Sequence, residues 1–213
     1  MREVFSLDAV AEPERLSYWS TVTRQVFWPF RMSIPLPSLA GASVTRSVSS
    51  VVELATVTAG AHTLAHSAAD AASSPGDTLC LALQLSGASA VRQDKRGCTL
   101  QAGEALFFDP HRPYSMSFDD MFTLAVFSFP RELLPAARMD VEAITARVLS
   151  AGPASPTPDG GGPRPTVVAR ALAYFSCLAA TFDSDGLIAD ALSGAALAPP
   201  DPLPPAPVQP APT

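Results

Sequence analysis

The side chains with the greatest capacity for chemistry lie between Gln84 and Tyr114. The run Asp109-Pro-His-Arg112-Pro-Tyr114 places a carboxylate, an imidazole, a guanidinium and a phenol on a short stretch of chain. A guanidinium can hold a carboxylate through two parallel N–H bonds. Asp109 and Arg112 therefore read either as a clamp for the carboxylate of a small ligand or as an ion pair that fixes the turn before Tyr114. The structural pairing is the default. Pro113 sets the backbone just ahead of Tyr114, whose ring can turn inward and whose hydroxyl can reach a partner. That leaves Tyr114 as either a packing residue or a ligand contact. Gln84, Gln93 and Arg96 are further polar candidates, with a solvated hairpin tip as the alternative for the last two.

Other chemistries find less support. A metal-dependent barrel enzyme needs several His and Glu side chains converging on one ion. The chain has three histidines: His62, His66 and His111. On a strand, His62 and His66 would be separated by roughly 13 Å at about 3.3 Å per residue. Ordinary surface or loop histidines are the expectation, with no metal and no cofactor. Cys80, Cys98 and Cys177 are far apart, which points to neither a zinc ribbon nor a redox pair. No nucleophile-elbow motif accompanies a serine. Gly160–Gly162 lacks the preceding strand and the Lys-Ser/Thr of a phosphate loop.

The elements that would position these residues follow from periodicity. Residues 6–27 read as a helix capped by Ser6 or Asp8, with Leu16, Trp19, Val22 and Val26 on one face. Pro29, Pro35 and Pro37 then impose an irregular connection. From 42 onward the period becomes two. Val48–Thr58 is rich in Val and Thr, and Leu79, Leu81, Leu83 and Leu85 alternate with Cys80, Ala82 and Gln84. Further strands are expected at 88–93, 97–100, 105–109, 114–118 and 122–129, punctuated by Gly87, Gly97, Gly103 and Asp119-Asp120. Many short strands indicate a sandwich or barrel. The leucine ladder, with Phe122, Leu124 and Val126, is the expected core, and some of these side chains would line any ligand pocket. Residues 67–77 read as a loop and 140–149 as a brief helix. Val168, Leu172, Phe175 and Phe182 form a stripe on a helix over 166–182, either packing within the domain or making a dimer seam. A shorter helix is expected over 185–197.

The chain has 213 residues, a net charge of −6 and 14 Lys plus Arg. An acidic chain repels a phosphate backbone unless a local basic patch intervenes. The densest basic group, Arg92, Lys95 and Arg96, is interrupted by Asp94, and no Lys or Arg follows Arg170. Direct DNA binding is not expected. The N-terminus has no long apolar stretch and no segment is apolar enough to span a membrane, so a cytoplasmic protein is expected.

The stretch from Leu79 to Arg131 resembles the AraC-binding-like domain, the cupin-type effector domain of bacterial AraC/XylS transcription regulators. The matching residues are Gln84 and Gly87, Gln93 and Arg96, Gly103 and Glu104, Asp109 with Arg112-Pro113-Tyr114, and Pro130-Arg131. Lys95 stands where the family's turn carries glycine, and Glu104 where it usually carries Asp. Weaker similarity runs from about Trp19 to Phe182.

The resemblance implies a mainly β protein: a cupin-like double-stranded β-helix barrel with flanking N- and C-terminal helices and a disordered Pro-rich tail. The corresponding divisions are 1–41, a helix and extended connection; 42–130, the barrel; 131–165, a turn and flexible linker; 166–197, a helical dimerisation region; and 198–213, the tail. The implied function is a ligand-sensing and dimerisation module, not an enzyme, lacking the helix-turn-helix half. Its partners would be a small-molecule effector and a second copy or a full-length regulator. Gln84, Arg96, Asp109, Arg112 and Tyr114 are the ligand candidates; Val168, Leu172, Phe175 and Phe182 are the dimerisation candidates. The alternatives are a cupin-fold enzyme and a non-functional truncated regulator.

Overall fold

In the computed structural model, residues 1–49, 52–74, 76–133, 141–151 and 167–182 are described. The tail, most of the linker and the shorter helix expected over 185–197 lie outside them. The described chain is mainly β, with antiparallel strands in two sheets. The first sheet runs β1 (Arg2–Ser6), β3 (Ser43–Val48), β4 (Glu53–Ala59), β11 (Phe122–Pro130), β6 (Thr78–Ser86), β9 (Ala105–Phe108). The second runs β2 (Arg31–Ser33), β5 (His62–His66), β10 (Tyr114–Phe118), β7 (Ala88–Gln93), β8 (Arg96–Gln101). Four helices accompany them among the described residues: α1 (Arg15–Val26), α2 (Ala68–Ala72), α3 (Val141–Ile144) and α4 (Val167–Phe182).

The strands from 78 to 130 fall where periodicity puts them. Elsewhere the structure departs from the expectations. The N-terminal helix begins only at Arg15, after a 3-10 turn over Glu12–Glu14 that carries Pro13 near its start. Residues 2–6 instead pair with β3. Trp19, Val22 and Val26 are buried as expected, whereas Leu16 is exposed. The stretch 48–58 is not one strand; β3 ends at Val48 and β4 begins at Glu53. The loop read over 67–77 contains α2, started by a capping box in which Ser67 and Asp70 satisfy each other's backbone N–H groups.

The leucine ladder is the most informative departure. Leu81 and Leu83 do not face the barrel interior. They pack on the outer face of the first sheet with Phe127, Leu178 and Ala179, under α4. The interior face of β6 carries the small residues Cys80 and Ala82. A strand buried on both faces alternates bulky and small side chains without alternating polarity, so the pattern shows the strand but not which side is inside. Phe122, Leu124 and Val126 do face the interior, as expected.

Two turns fix the frame. Gly87 adopts φ 70°, and a Cβ there would lie 2.5 Å from the Met121 carbonyl oxygen. Only glycine permits both that conformation and that approach. Asp94 and Lys95 connect β7 to β8 with φ 52° and 61°, the two left-handed residues of a type I′ hairpin.

Candidate functional site

Between the sheets lies a cavity of about 60 Å³. Its walls combine Phe108, Met116, Phe118, Phe122, Leu124 and Val126 from the strands with Trp19 and Thr23 from α1. The half-buried Phe27, Trp28 and Phe30 complete it from the connection between α1 and β2, with Met32 on β2. Phe118 and Phe122 stack at 3.7 Å, and His62 lies 4.9 Å from Phe118. Among the described residues no Arg, Lys, Asp or Glu lines the space. Both tryptophans of the chain do.

Few polar atoms belong to this lining, and their bonding is uneven. Tyr114 Oη accepts from Trp28 Nε1 at 2.6 Å, while its own proton has no acceptor among the described residues. Burial pushes the Tyr114 phenol well above its ordinary range, partly opposed by the Trp28 bond, so it stays an O–H donor. His62 Nδ1 lies 2.9 Å from the Gly60 carbonyl oxygen. Burial lowers the His62 pKa and favours the neutral ring, partly opposed by that backbone bond. Thr23 Oγ1 donates to the Trp19 carbonyl within α1. Trp19 Nε1–H is buried and has no partner among the described residues. An unpaired buried donor of this kind costs about 1–3 kcal/mol.

Tyr114 is the one sequence-derived ligand candidate in the cavity. Asp109, Arg112 and Arg96 come together elsewhere, in an ionic network over the end of the barrel. The buried Asp109 carboxylate accepts from the His111 backbone N–H, from Arg112 Nε and from an Arg131 nitrogen at 2.9, 3.0 and 3.0 Å. Arg112 also pairs with Asp94 at 2.9 Å. Burial works against the Asp109 anion, but these donors outweigh it and hold its carboxyl below the usual carboxylate range. Arg96 donates to the carbonyl oxygens of Thr145 and Glu142 beside α3, and Thr145 Oγ1 donates to Asp94 at 2.5 Å. The network thus pins the segment after the barrel to the β7–β8 hairpin.

Gln84 is fully buried, donating to the Ser86 carbonyl and accepting from Ser89 Oγ. Its amide is occupied within the hairpin. Gln93, expected at a solvated tip, is also buried and exchanges hydrogen bonds with the Asp109 backbone. His111 lies half-exposed in the turn, as expected of a loop histidine, but the other two are not surface residues. His62 and His66 are buried on β5, and His66 has ring nitrogens 2.5 and 2.8 Å from the Pro29 and Pro110 carbonyl oxygens. Among the described residues no three His, Cys, Asp or Glu side chains are grouped to hold a metal ion. Burial pushes the Cys80 thiol up to about 12, leaving it protonated and unreactive.

Of the α4 stripe, Phe175 packs edge-on against Phe127 at 5.1 Å. The side chains of Val168, Leu172 and Phe182 lie outside the described residues. Reasoning from sequence overlooked Trp19, Trp28 and His62 as cavity residues. The run Phe27-Trp28-Pro29-Phe30, three aromatics on a proline-broken connection, was the available signal.

The profile of the AraC-binding-like domain matches residues 19–198. The chain belongs to this family. The domain is also 32% identical over 138 residues to an uncharacterized protein encoded in the nit 5′ region of Bacillus sp. strain OxB-1. That match covers 64% of this chain and 53% of the relative, so the chain spans about half of that protein's length. The crystal structure of the AraC-like transcriptional activator CuxR superposes with a TM-score of 0.68 at 18% identity, over 96% of this chain and 73% of that one. This shows a shared fold. A cupin domain of an XRE family regulator from Enterobacter cloacae aligns with 38% of this chain and 83% of its own, at 11% identity and a TM-score of 0.32. No helix among the described residues is long and apolar enough to cross a membrane.

Proposed function

We propose that this AraC-binding-like domain is a sensor: a small molecule occupies the barrel cavity and shifts the arrangement of the flanking helices. The observation that carries the reading is the composition of the cavity wall. Two of its residues, Trp19 and Thr23, belong to α1, and three more, Phe27, Trp28 and Phe30, to the connection leaving it. A guest that touches these residues has different affinities for different positions of α1, which is the requirement for a ligand to move an equilibrium.

Dimerisation through the α4 region, as a homodimer or with a full-length regulator, would transmit that shift. The net charge of −6 disfavours contacts with a phosphate backbone. The domain is proposed to act without catalysis in the cytoplasm. In thermal-shift screening, a bound effector raises the melting temperature, and sedimentation velocity with and without it reads the change in self-association. If no compound in a broad screen stabilises the protein, the sensor reading fails. Stoichiometric bound iron, zinc, nickel or manganese in the purified protein would turn the assignment toward a cupin enzyme.

A further inference from the structure

The same cavity constrains what its occupant can be; this inference rests on the sensor reading. We infer that the effector is an uncharged, predominantly apolar molecule of about one ring in size, carrying a hydrogen-bond acceptor that takes the Trp19 indole N–H, the Tyr114 O–H or both.

Three observations lead there. The first is charge. A carboxylate or phosphate buried among Phe118, Phe122, Leu124 and Val126 would need a cation or several donors around it, and among the described residues no Arg or Lys lines the space. The arginines expected to clamp a carboxylate are engaged with Asp109, Asp94 and Thr145 outside it. The second is hydrogen-bond capacity. A sugar presents many hydroxyls, each needing a partner when buried, and this lining offers far fewer polar atoms than that. Two donors here lack an acceptor among the described residues, the buried Trp19 N–H and the Tyr114 proton left over after its oxygen accepts from Trp28, against one ring nitrogen, His62 Nε2, that can accept when Nδ1–H bonds the Gly60 carbonyl. The two donors call for an acceptor on the guest. The third is size. At about 60 Å³ the cavity is smaller than the roughly 150 Å³ that accommodates benzene in a protein core. A one-ring guest therefore needs the cavity to widen, and of the lining residues only Phe27, Trp28 and Phe30 lie outside a helix or strand, where widening disturbs the sheets least.

The test compares four probes on the whole protein, followed by tryptophan fluorescence and thermal shift. Acetophenone has one ring and one acceptor, ethylbenzene nearly the same shape without it, benzoate the charge, and L-arabinose the hydroxyls. Both tryptophans report directly, because both line the cavity. Acetophenone is expected to bind at least as tightly as ethylbenzene, although its carbonyl must leave water, and to quench or shift the emission. Benzoate and arabinose should bind about 100-fold more weakly or not at all. Of Trp19→Phe and Tyr114→Phe, at least one should weaken acetophenone about tenfold while leaving ethylbenzene nearly unchanged, and unchanged acetophenone binding in both variants would overturn the inference. The comparison in the unmodified protein stands even if a variant does not fold. Tighter binding of benzoate or arabinose than of acetophenone would overturn the inference while leaving the sensor reading intact. So would ethylbenzene binding well above acetophenone, since a cavity without usable donors favours the hydrocarbon. Binding of none of these probes, nor of any compound in the broader screen, overturns both.

Discussion

The Trp28 indole N–H donates to the Tyr114 hydroxyl at 2.6 Å, joining residues 86 positions apart. This bond ties the connection after α1 to the second residue set that walls the cavity, on β10. Tyr114 is anchored independently by stacking on His66 at 4.9 Å, so the bond holds Trp28 to a fixed point rather than the reverse. Tyr114→Phe keeps the ring and removes the acceptor. The Trp28 N–H then lacks its protein partner, at a cost of about 1–2 kcal/mol, less if solvent reaches the half-buried indole. Urea denaturation should show a lower midpoint with an unchanged slope. Acrylamide should quench tryptophan fluorescence more strongly in the variant. Unaltered quenching would mean that the bond does not hold Trp28 in place.

A second prediction concerns acid. The folded Asp109 carboxyl has its pKa below the ordinary value of 3.8, because the His111 N–H, Arg131 and Arg112 favour the anion more than burial disfavours it. A depressed folded value means that the unfolded chain takes up the proton first. The stabilisation is therefore complete above about pH 4 and is lost as pH falls through the folded value. Asp109→Asn should destabilise the protein by roughly 1–3 kcal/mol at neutral pH, the lower part of the range reflecting solvent screening of partly exposed Arg112 and Arg131. The gap between the two proteins should narrow below pH 4 when both are followed by circular dichroism. A gap constant from pH 7 to pH 3 would show that the network contributes through shape and not through charge.

Strands from 78 to 130 were legible because hydrophobic residues alternate and glycines mark the turns. What alternation could not supply is the identity of the inner face. Leu81 and Cys80 exchange roles once α4 covers the outside of the sheet, and that cover is more than ninety residues away in sequence. The site was harder still. Asp109 and Arg112 were visible as a pair from their spacing, and the pair forms at 3.0 Å, but its distance from the cavity depends on tertiary structure. Trp19 looked like one more member of an apolar helical stripe. Nothing local distinguishes a tryptophan whose N–H finds a partner from one whose N–H does not.

The third prediction returns to the β7–β8 turn, where sequence and conformation disagree. Lys95 has φ 61° in a position that favours glycine. The lysine side chain is exposed, so little packing compensates for its strained backbone. A non-glycine residue in the left-handed region costs on the order of 1 kcal/mol. Glycine removes that strain but gives the unfolded chain more freedom, which returns part of the gain. Lys95→Gly should therefore stabilise the domain by up to about 1 kcal/mol, read as a higher denaturation midpoint. The same turn carries Asp94, which anchors Arg112 and Thr145, so a better-formed hairpin should also slow amide exchange at Thr145 and Ala146. A loss of stability in Lys95→Gly would mean that the lysine contributes something at this tip beyond its backbone, and would direct attention to the groove it shares with Arg92 and Arg96.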